Sequence, residues 1–171
     1  LERDPMSHDP PSSASPSLDS LRTELDRRLS QEASDMVVLR RDLHAHPELA
    51  HEEFRTSGIV SDHLSEWGLR LHEVPGTGAV ADLSLGAPDD AWTAIRADLD
   101  AVPISDDKTV PWRSRTAGRC HACGHDAHTT MALFAARVLR HLQDPLRDLE
   151  PVTNLRFIFQ PAEETATGAR S

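Results

Sequence analysis

The feature that most constrains the fold is a change of hydrophobic periodicity along the chain. Apolar residues recur at helical spacing from Leu18 to about His46, over 52–67 and over 127–142. Shorter apolar or alternating runs predict strands at 69–74, 79–83, 92–99 and 154–159. Helices that alternate with strands in this way predict an α/β fold with a mainly parallel sheet flanked by helices. In such a sheet, ligands bind at the carboxyl ends of the strands.

The N-terminal composition and the overall charge narrow the class of protein. Residues 1–17 are rich in proline, serine and charge, so we expect a disordered tail before a domain at 18–171. The formal net charge of -10 disfavours binding to nucleic acid or to an anionic membrane. No run approaches the roughly 20 apolar residues that span a bilayer, and the N-terminus lacks the apolar core of a secretory signal. We therefore expect a cytoplasmic protein.

One short segment, 118–128, concentrates side chains that bind metals. Cys123 and His125 offer a thiolate and an imidazole to one divalent ion of the zinc or manganese kind. The pair Cys120 and Cys123 is also compatible with a thiol redox site, although several histidines are unexpected in that motif. A haem-attachment motif is excluded, because Gly124 follows Cys123 where a histidine would have to stand. The segment therefore favours a metal site.

Two further polar clusters follow predicted strands. Asp98 and Asp100 come at the end of the 92–99 strand, where alternation places both carboxylates on the same side. Aspartates are common wherever a strand gives way to a loop, so this pair is not specific by itself. Glu163 and Glu164 follow the last predicted strand, where one carboxylate can hold a metal while the other meets a metal-bound water. Proline followed by glutamates is equally typical of the first turn of a helix.

Taken together, these motifs resemble the amidohydrolase branch of the aminoacylase and carboxypeptidase-type metallopeptidases. This branch includes hippurate hydrolases, N-acyl-amino-acid hydrolases and plant auxin-conjugate hydrolases. The resemblance extends over roughly residues 36–171. In chain order it is carried by Leu39–Leu49, Thr77-Gly78, Arg96–Ala101, His121–Asp126 and Phe159–Glu164. It implies a zinc-peptidase-like catalytic domain that cleaves the amide bond of N-acyl amino acids, a small-molecule substrate, to a carboxylic acid and a free amino acid.

The resemblance also implies roles for individual residues. Cys123 would bridge two divalent metal ions, manganese or zinc. His125 and Glu164 would be further metal ligands. Glu163 would act as the general base, and Asp100 would orient the site. The metal-dependent hydrolase implied by the resemblance therefore depends on three ligands and two catalytic carboxylates from this chain.

Three residues and the length of the chain depart from the family pattern. His121 and His128 match no family ligand, and we expect them to face solvent or to lie behind the ligands. Cys120 stands where the family more often has methionine or an apolar residue, which places a second thiol near the metal. Family members are much longer and obtain two further histidine ligands and a lid or dimerisation domain from downstream sequence. We therefore interpret the chain as an N-terminal part of such a protein, inactive and aggregation-prone by itself; a homodimer is compatible with the full-length form.

Other functions are compatible with the same residues. A dipeptidase or carboxypeptidase-type metallopeptidase would use the same ligands on a different substrate. A non-catalytic metal-binding module would not need Glu163, so the presence of both Glu163 and Cys123 disfavours it. A thiol redox protein would depend on Cys120 as much as on Cys123, whereas the hydrolase would depend on Cys123 for its metal content.

Overall fold

The computed structural model describes residues 17–149 and 151–170, so almost all of the predicted tail lies outside the described residues. None of the described helices is long and apolar enough to cross a membrane. The elements, in chain order, are α1 (Leu18–Ala45), α2 (Phe54–Glu66), β1 (Arg70–His72), β2 (Ala79–Leu83), β3 (Trp92–Asp98), α3 (His125–His141), α4 (Gln143–Arg147), β4 (Asn154–Gln160) and a short 3-10 helix (Gly168–Arg170).

Helix α1 begins at a serine cap and continues without a break. The hydroxyl of Ser17 accepts a hydrogen bond from the backbone N–H of Ser20 at 3.1 Å, as N-cap residues commonly do. The helix ends at Ala45, two residues before Pro47, because proline disfavours the helical conformation in the residue that precedes it. Its buried residues all lie near this end: Leu39, Leu43, His44 and Ala45. The C-terminal turns of α1 therefore pack into the interior and bring His44 with them.

The four strands form one mixed sheet in the order β1-β2-β4-β3. β3 and β4 pair in parallel, whereas β1 with β2 and β2 with β4 pair antiparallel. The α/β class is confirmed, but the sheet is mixed rather than mainly parallel. The connection 73–78 between β1 and β2 is too short for the crossover that a parallel pair requires. Helix α3 lies between β3 and β4 and provides such a crossover.

The hydrophobic core lies between one face of the sheet and helices α2 and α3. Phe157 and Phe159 of β4 are buried there together with Leu64 of α2 and Leu133 of α3. Side chains alternate between the two faces of a strand, so Arg156 of β4 points away from this core and remains partly exposed. The packing fixes the register of β4 and therefore the place at which the chain leaves the sheet beyond Gln160.

Candidate metal centre

Asp100 holds together two segments that leave the sheet at the same edge. It follows β3, is almost completely buried, and accepts the backbone N–H groups of Glu163 at 3.1 Å and Glu164 at 2.9 Å. β3 and β4 are parallel neighbours, so their carboxyl ends meet at one edge of the sheet. Burial is the largest single influence on the pKa of Asp100 and raises it, but hydrogen bonds from the side chain of His125 and from these two N–H groups lower it overall. Both glutamates are thereby positioned beside the end of β3.

His125, the first residue of α3, faces the two glutamates. Its Nδ1 lies 2.7 Å from the backbone carbonyl oxygen of Asp100, so Nδ1 carries a hydrogen and donates it. Its Nε2 lies 3.7 Å from Oε2 of Glu163 and 3.8 Å from Oε1 of Glu164. The carboxylate of Asp100 raises the pKa of His125 to about 9, against the effect of burial. Without a bound metal, His125 would therefore be protonated on both ring nitrogens near neutral pH.

Cys123 joins this group from the loop that leads into α3. Its side chain is exposed, and its thiol hydrogen-bonds to Glu164, an interaction that raises the pKa of the thiol. Gly124 follows with φ 88°, a left-handed conformation that glycine adopts without strain and that redirects the chain into the helix. The structure thus brings Asp100, His125, Glu163 and Glu164 together. Cys123 adjoins this group through Glu164.

The donor atoms of this site suit a divalent metal ion. One donor atom each from His125, Glu163 and Glu164 lie within 4.8 Å of one another, and the Cys123 thiol adjoins them. Thiolate, imidazole and carboxylate are the donors that zinc and related ions use in proteins. The glutamate side chains remain 40% and 25% exposed, so a small molecule can reach them from solvent. The residues present therefore fit a metal ion.

Asp98 and His128 form a second ligand-type group with His125. One donor atom from each of the three residues lies within 4.8 Å of the others, and the His125 and His128 rings are 5.7 Å apart between centroids. Asp98 also forms an ion pair with Arg96. The sequence pattern predicts that Asp98 lies on the same side of the strand as Asp100, but it does not predict that Asp98 lies close to His128. The spacing of His125 and His128, three residues apart on α3, was the available signal.

His121 is buried, which excludes the solvent-facing alternative. Its exposed fraction is 4%, and neither ring nitrogen has a hydrogen-bond partner among the described residues. Burial lowers its pKa to about 4, so the ring is neutral near pH 7. His121 therefore belongs to the interior beside the site rather than to its surface.

Glu53 is a supporting residue that sequence reasoning missed. Its side chain is fully buried and accepts hydrogen bonds from the hydroxyl of Thr77 at 2.5 Å and the backbone N–H of Ala162 at 2.7 Å. It thereby ties the start of α2 to the segment that carries the site glutamates. Ala162 has φ 50°, a left-handed conformation that costs energy in a non-glycine residue, and the Glu53 contact supports it. Nothing in the local sequence His51-Glu52-Glu53 distinguishes this buried glutamate from an exposed one.

The fold and this cluster define an α/β domain whose candidate metal donors lie at the end of one strand and at the start of a helix. Residues 94–171 match the model of peptidase family M20/M25/M40. The chain is 38% identical over 148 residues to N-acyl-L-amino acid amidohydrolase of Geobacillus stearothermophilus, with 86% of this chain and 38% of that protein covered. It is 48% identical over 147 residues to putative glutamate–cysteine ligase 2-3 of Rhodococcus jostii, with 85% of this chain and 17% of that protein covered.

A solved structure shows the same relationship. The YXEP protein of Bacillus subtilis, a dinuclear metal-binding peptidase of family M20, is 38% identical and superposes with a TM-score of 0.73 over 82% of this chain and 38% of its own. Residues 94–171 of this chain match peptidase family M20, and the resemblance inferred from its motifs is confirmed. The chain spans 17% to 38% of the lengths of the two curated relatives.

Proposed function

We propose that the protein hydrolyses the amide bond of N-acyl amino acids, releasing a carboxylic acid and a free amino acid. The observation that carries this proposal is the convergence of His125, Glu163 and Glu164 at one edge of the sheet, with Cys123 beside Glu164. The similarity to an N-acyl-L-amino acid amidohydrolase supports the substrate class. The similarity to a dinuclear metal-binding peptidase supports two divalent ions.

In this proposal Cys123, His125 and Glu164 would hold the divalent metal ions, manganese or zinc. Bound divalent ions would lower the pKa of water and polarise the amide carbonyl. Asp100 keeps His125 oriented, because its backbone carbonyl fixes Nδ1 as the protonated nitrogen and leaves Nε2 for a ligand. The orientation of His125 is therefore set by the fold before any ligand binds.

Glu163 is the proposed general base. Its backbone is fixed by Asp100, while its side chain is partly exposed and can reach both solvent and a bound amide. It would accept a proton from the attacking water and then deliver that proton to the nitrogen of the leaving amine. A single carboxylate can perform both transfers, because the second transfer restores the charge that the first one neutralised.

We extend the proposal to the organisation of the whole protein. Residues 18–171 would form the N-terminal part of the catalytic domain, and further ligands and a lid or dimerisation domain would come from sequence beyond it. The coverage of the longer relatives supports this. The 171 residues by themselves would then be inactive. Cytoplasmic location and a homodimeric full-length form remain predictions from the sequence.

The test assays hydrolysis of N-acetyl and N-benzoyl amino acids, with manganese or zinc, by the complete product of the reading frame. We expect turnover that Glu163→Gln lowers by at least about a hundredfold while metal content is retained. The 171-residue chain, assayed in parallel, should show no turnover. Turnover that survives Glu163→Gln would contradict the role of Glu163. Cleavage of dipeptides in preference to N-acyl amino acids would replace the proposed substrate class.

A further inference from the structure

A second cluster of ligand-type side chains lies apart from the five residues of the proposed active site. It consists of His44 at the end of α1, Asp106 in the loop after β3, and Cys120 shortly before α3. One donor atom from each lies within 4.8 Å of the other two. The side chains of His44 and Asp106 are each 1% exposed, and Cys120 is 2% exposed. Three distant segments therefore deliver a nitrogen, an oxygen and a sulfur donor to one buried point.

The orientation of His44 is the one that metal-binding histidines adopt. Its Nδ1 lies 2.6 Å from Oδ2 of Asp126, which also forms an ion pair with Arg40 at 3.0 Å. The carboxylate accepts a hydrogen from Nδ1, so Nε2 is the ring nitrogen left to bond within the cluster. Nε2 faces Oδ2 of Asp106 at 3.2 Å. Two acceptors at that distance repel each other unless a proton or a cation lies between them.

The distances suit a small divalent ion. Bond lengths of about 2.0–2.3 Å to nitrogen, oxygen and sulfur place tetrahedral donors about 3.2–3.7 Å from one another. The separation of Nε2 and Oδ2, 3.2 Å, already falls in this range. The thiol of Cys120 needs a movement of about an ångström or less to reach it, given the 4.8 Å limit that encloses all three atoms.

The ammonium group of Lys108 lies where a bound metal ion would contact Asp106 and Cys120. This ammonium lies 3.1 Å from Oδ1 of Asp106 and 3.8 Å from Sγ of Cys120. The Lys108 side chain is 49% exposed and can turn out into solvent without breaking the core. The ammonium and the thiol proton of Cys120 each carry one positive charge. A divalent ion that displaces both of them brings the same total charge of two. The buried charge of the cluster is therefore unchanged by the exchange.

His121 provides a second, independent observation. Both of its buried ring nitrogens lack a hydrogen-bond partner among the described residues, and its ring centroid lies 6.4 Å from that of His44. Buried polar atoms without partners are uncommon in native proteins and often mark the place of an ion or a water molecule. The donor atoms of His121 do not lie within 4.8 Å of all three donors of the cluster, so a movement of its ring is needed for it to complete a four-coordinate site.

We infer that His44, Asp106 and Cys120 form a binding site for one zinc-type divalent ion, with His121 as the fourth ligand. Binding breaks the S–H bond of Cys120, releases its proton to solvent, and forms a bond between sulfur and the metal. The site uses none of the side chains that hold metal in the proposed hydrolase. It places a structural ion where the end of α1, the 104–116 loop and the start of α3 meet.

The test uses cobalt(II) alone as a spectroscopic probe on the metal-free 171-residue chain under reducing conditions. Thiolate bound to cobalt gives an intense near-ultraviolet charge-transfer band that nitrogen and oxygen ligands do not give. In Cys123→Ser we expect this band to persist and to saturate at one cobalt per chain. In the double variant Cys120→Ser/Cys123→Ser it should be lost, while circular dichroism confirms the fold of both. Absence of the band from folded Cys123→Ser would overturn the inference, and Cys123→Ala repeats the test if serine disturbs the fold.

Two further variants separate this site from the proposed active site. Cys120→Ser retains only the Cys123 thiolate, so its cobalt band reports the proposed hydrolase centre and can fail independently. Lys108→Gln in the Cys123→Ser background removes the competing ammonium and should tighten cobalt binding by roughly fivefold. Unchanged or weaker binding in Lys108→Gln would contradict the exchange of charges on which the site depends.

Discussion

The carboxylate of Asp100 contacts three parts of the site. Asp100→Asn exchanges one acceptor oxygen for a donor, which must then face a backbone N–H of Glu163 or Glu164. We expect a loss of about 1–3 kcal/mol in the free energy of unfolding, because a buried donor is left without its acceptor. The pKa of His125 should also fall, since Asp100 is the main group that raises it.

Urea denaturation and a proton NMR titration of the histidines measure both effects of Asp100→Asn. Asp107→Asn is the matched control, because Asp107 is exposed and should alter stability by less than about 0.5 kcal/mol. An unaltered titration of His125 in Asp100→Asn would contradict the assignment of Asp100 as its charge partner.

The raised pKa of His125 makes both stability and metal binding depend on pH. The folded-state pKa of about 9 lies above the ordinary value of 6.5. The stabilisation from this proton is therefore fully present below pH 6.5 and is lost as the pH rises to about 9. A metal at Nε2 must displace the same proton, so the contribution of His125 makes metal affinity rise with pH, by up to about tenfold per unit, and this contribution levels off near pH 9.

The two pH dependences have opposite signs, which makes them a strict test. Urea midpoints of the metal-free chain should fall between pH 6.5 and 9.5, whereas manganese or zinc affinity, measured by calorimetry in the Cys120→Ser background, should increase. His125→Asn should flatten the part of both profiles that belongs to this residue. If the stability of the chain without added metal does not change over this pH interval, His125 does not carry the second ring proton in the folded state.

At the scale of elements, the short segment after β4 depends on a close backbone approach. A Cβ atom built on Gly168 would lie 1.6 Å from the carbonyl oxygen of Pro161, so no side chain fits without moving the backbone. Gly168→Ala should displace the segment that carries Glu163 and Glu164. We expect loss of metal binding at the Cys123 site and a destabilisation of about 1–3 kcal/mol from the overpacking.

Gly58 in helix α2 offers a matched control. It is exposed, and a Cβ atom there meets nothing within 4 Å. Gly58→Ala should therefore raise the free energy of unfolding by up to about 1 kcal/mol, because alanine favours a helix over glycine. Cobalt titration and urea denaturation of the two variants compare the same chemical change at a tight and at an open position. Equal behaviour of the two alanine variants would contradict the close packing at Gly168.

The elements were predictable to the extent that their signals are local. The period of the apolar residues located every helix and strand except the short α4 and 3-10 segments, and the bounds of β2 agree with the prediction. The pairing of β2 with β4 was not predictable, because antiparallel contact between distant strands leaves no mark in either sequence. Glu48 shows the same limit: it accepts the backbone N–H groups of Arg55 and Thr56 at the start of α2, although it precedes the helix by six residues.

The residues of the candidate site differ in the same way, by whether their signal in the sequence is local. Its five predicted residues belong to short motifs whose chemistry is visible in the sequence, and the fold brings those motifs together. Glu53 and the buried cluster of His44, Asp106 and Cys120 depend on contacts between segments far apart in the chain. No local pattern distinguishes these buried polar residues from exposed ones, so only their three-dimensional surroundings reveal them.

At the scale of the whole molecule, the described sheet ends at β3, whose outer edge pairs with no other described strand. The first half of this strand, Trp92–Ala94, is exposed. An unpaired and partly apolar edge is a template for pairing with another chain. The net charge of -10 opposes such contact at low ionic strength, but salt screens that repulsion. We therefore expect the chain to self-associate, and to do so more strongly as salt is added.

Sedimentation velocity at increasing protein and sodium chloride concentrations measures this association. Ala94→Lys places a charge on the exposed edge and should keep the chain monomeric under conditions in which the wild type associates. Thr23→Lys adds the same charge on the exposed surface of α1 and should change little. The comparison separates the effect of the position of the charge from the effect of the net charge. Both lysines lower the magnitude of the net charge by one, so equal suppression of association by both would show that the edge of β3 is not the surface responsible. A wild-type chain that stays monomeric in high salt would show that the edge of β3 is not an interaction surface.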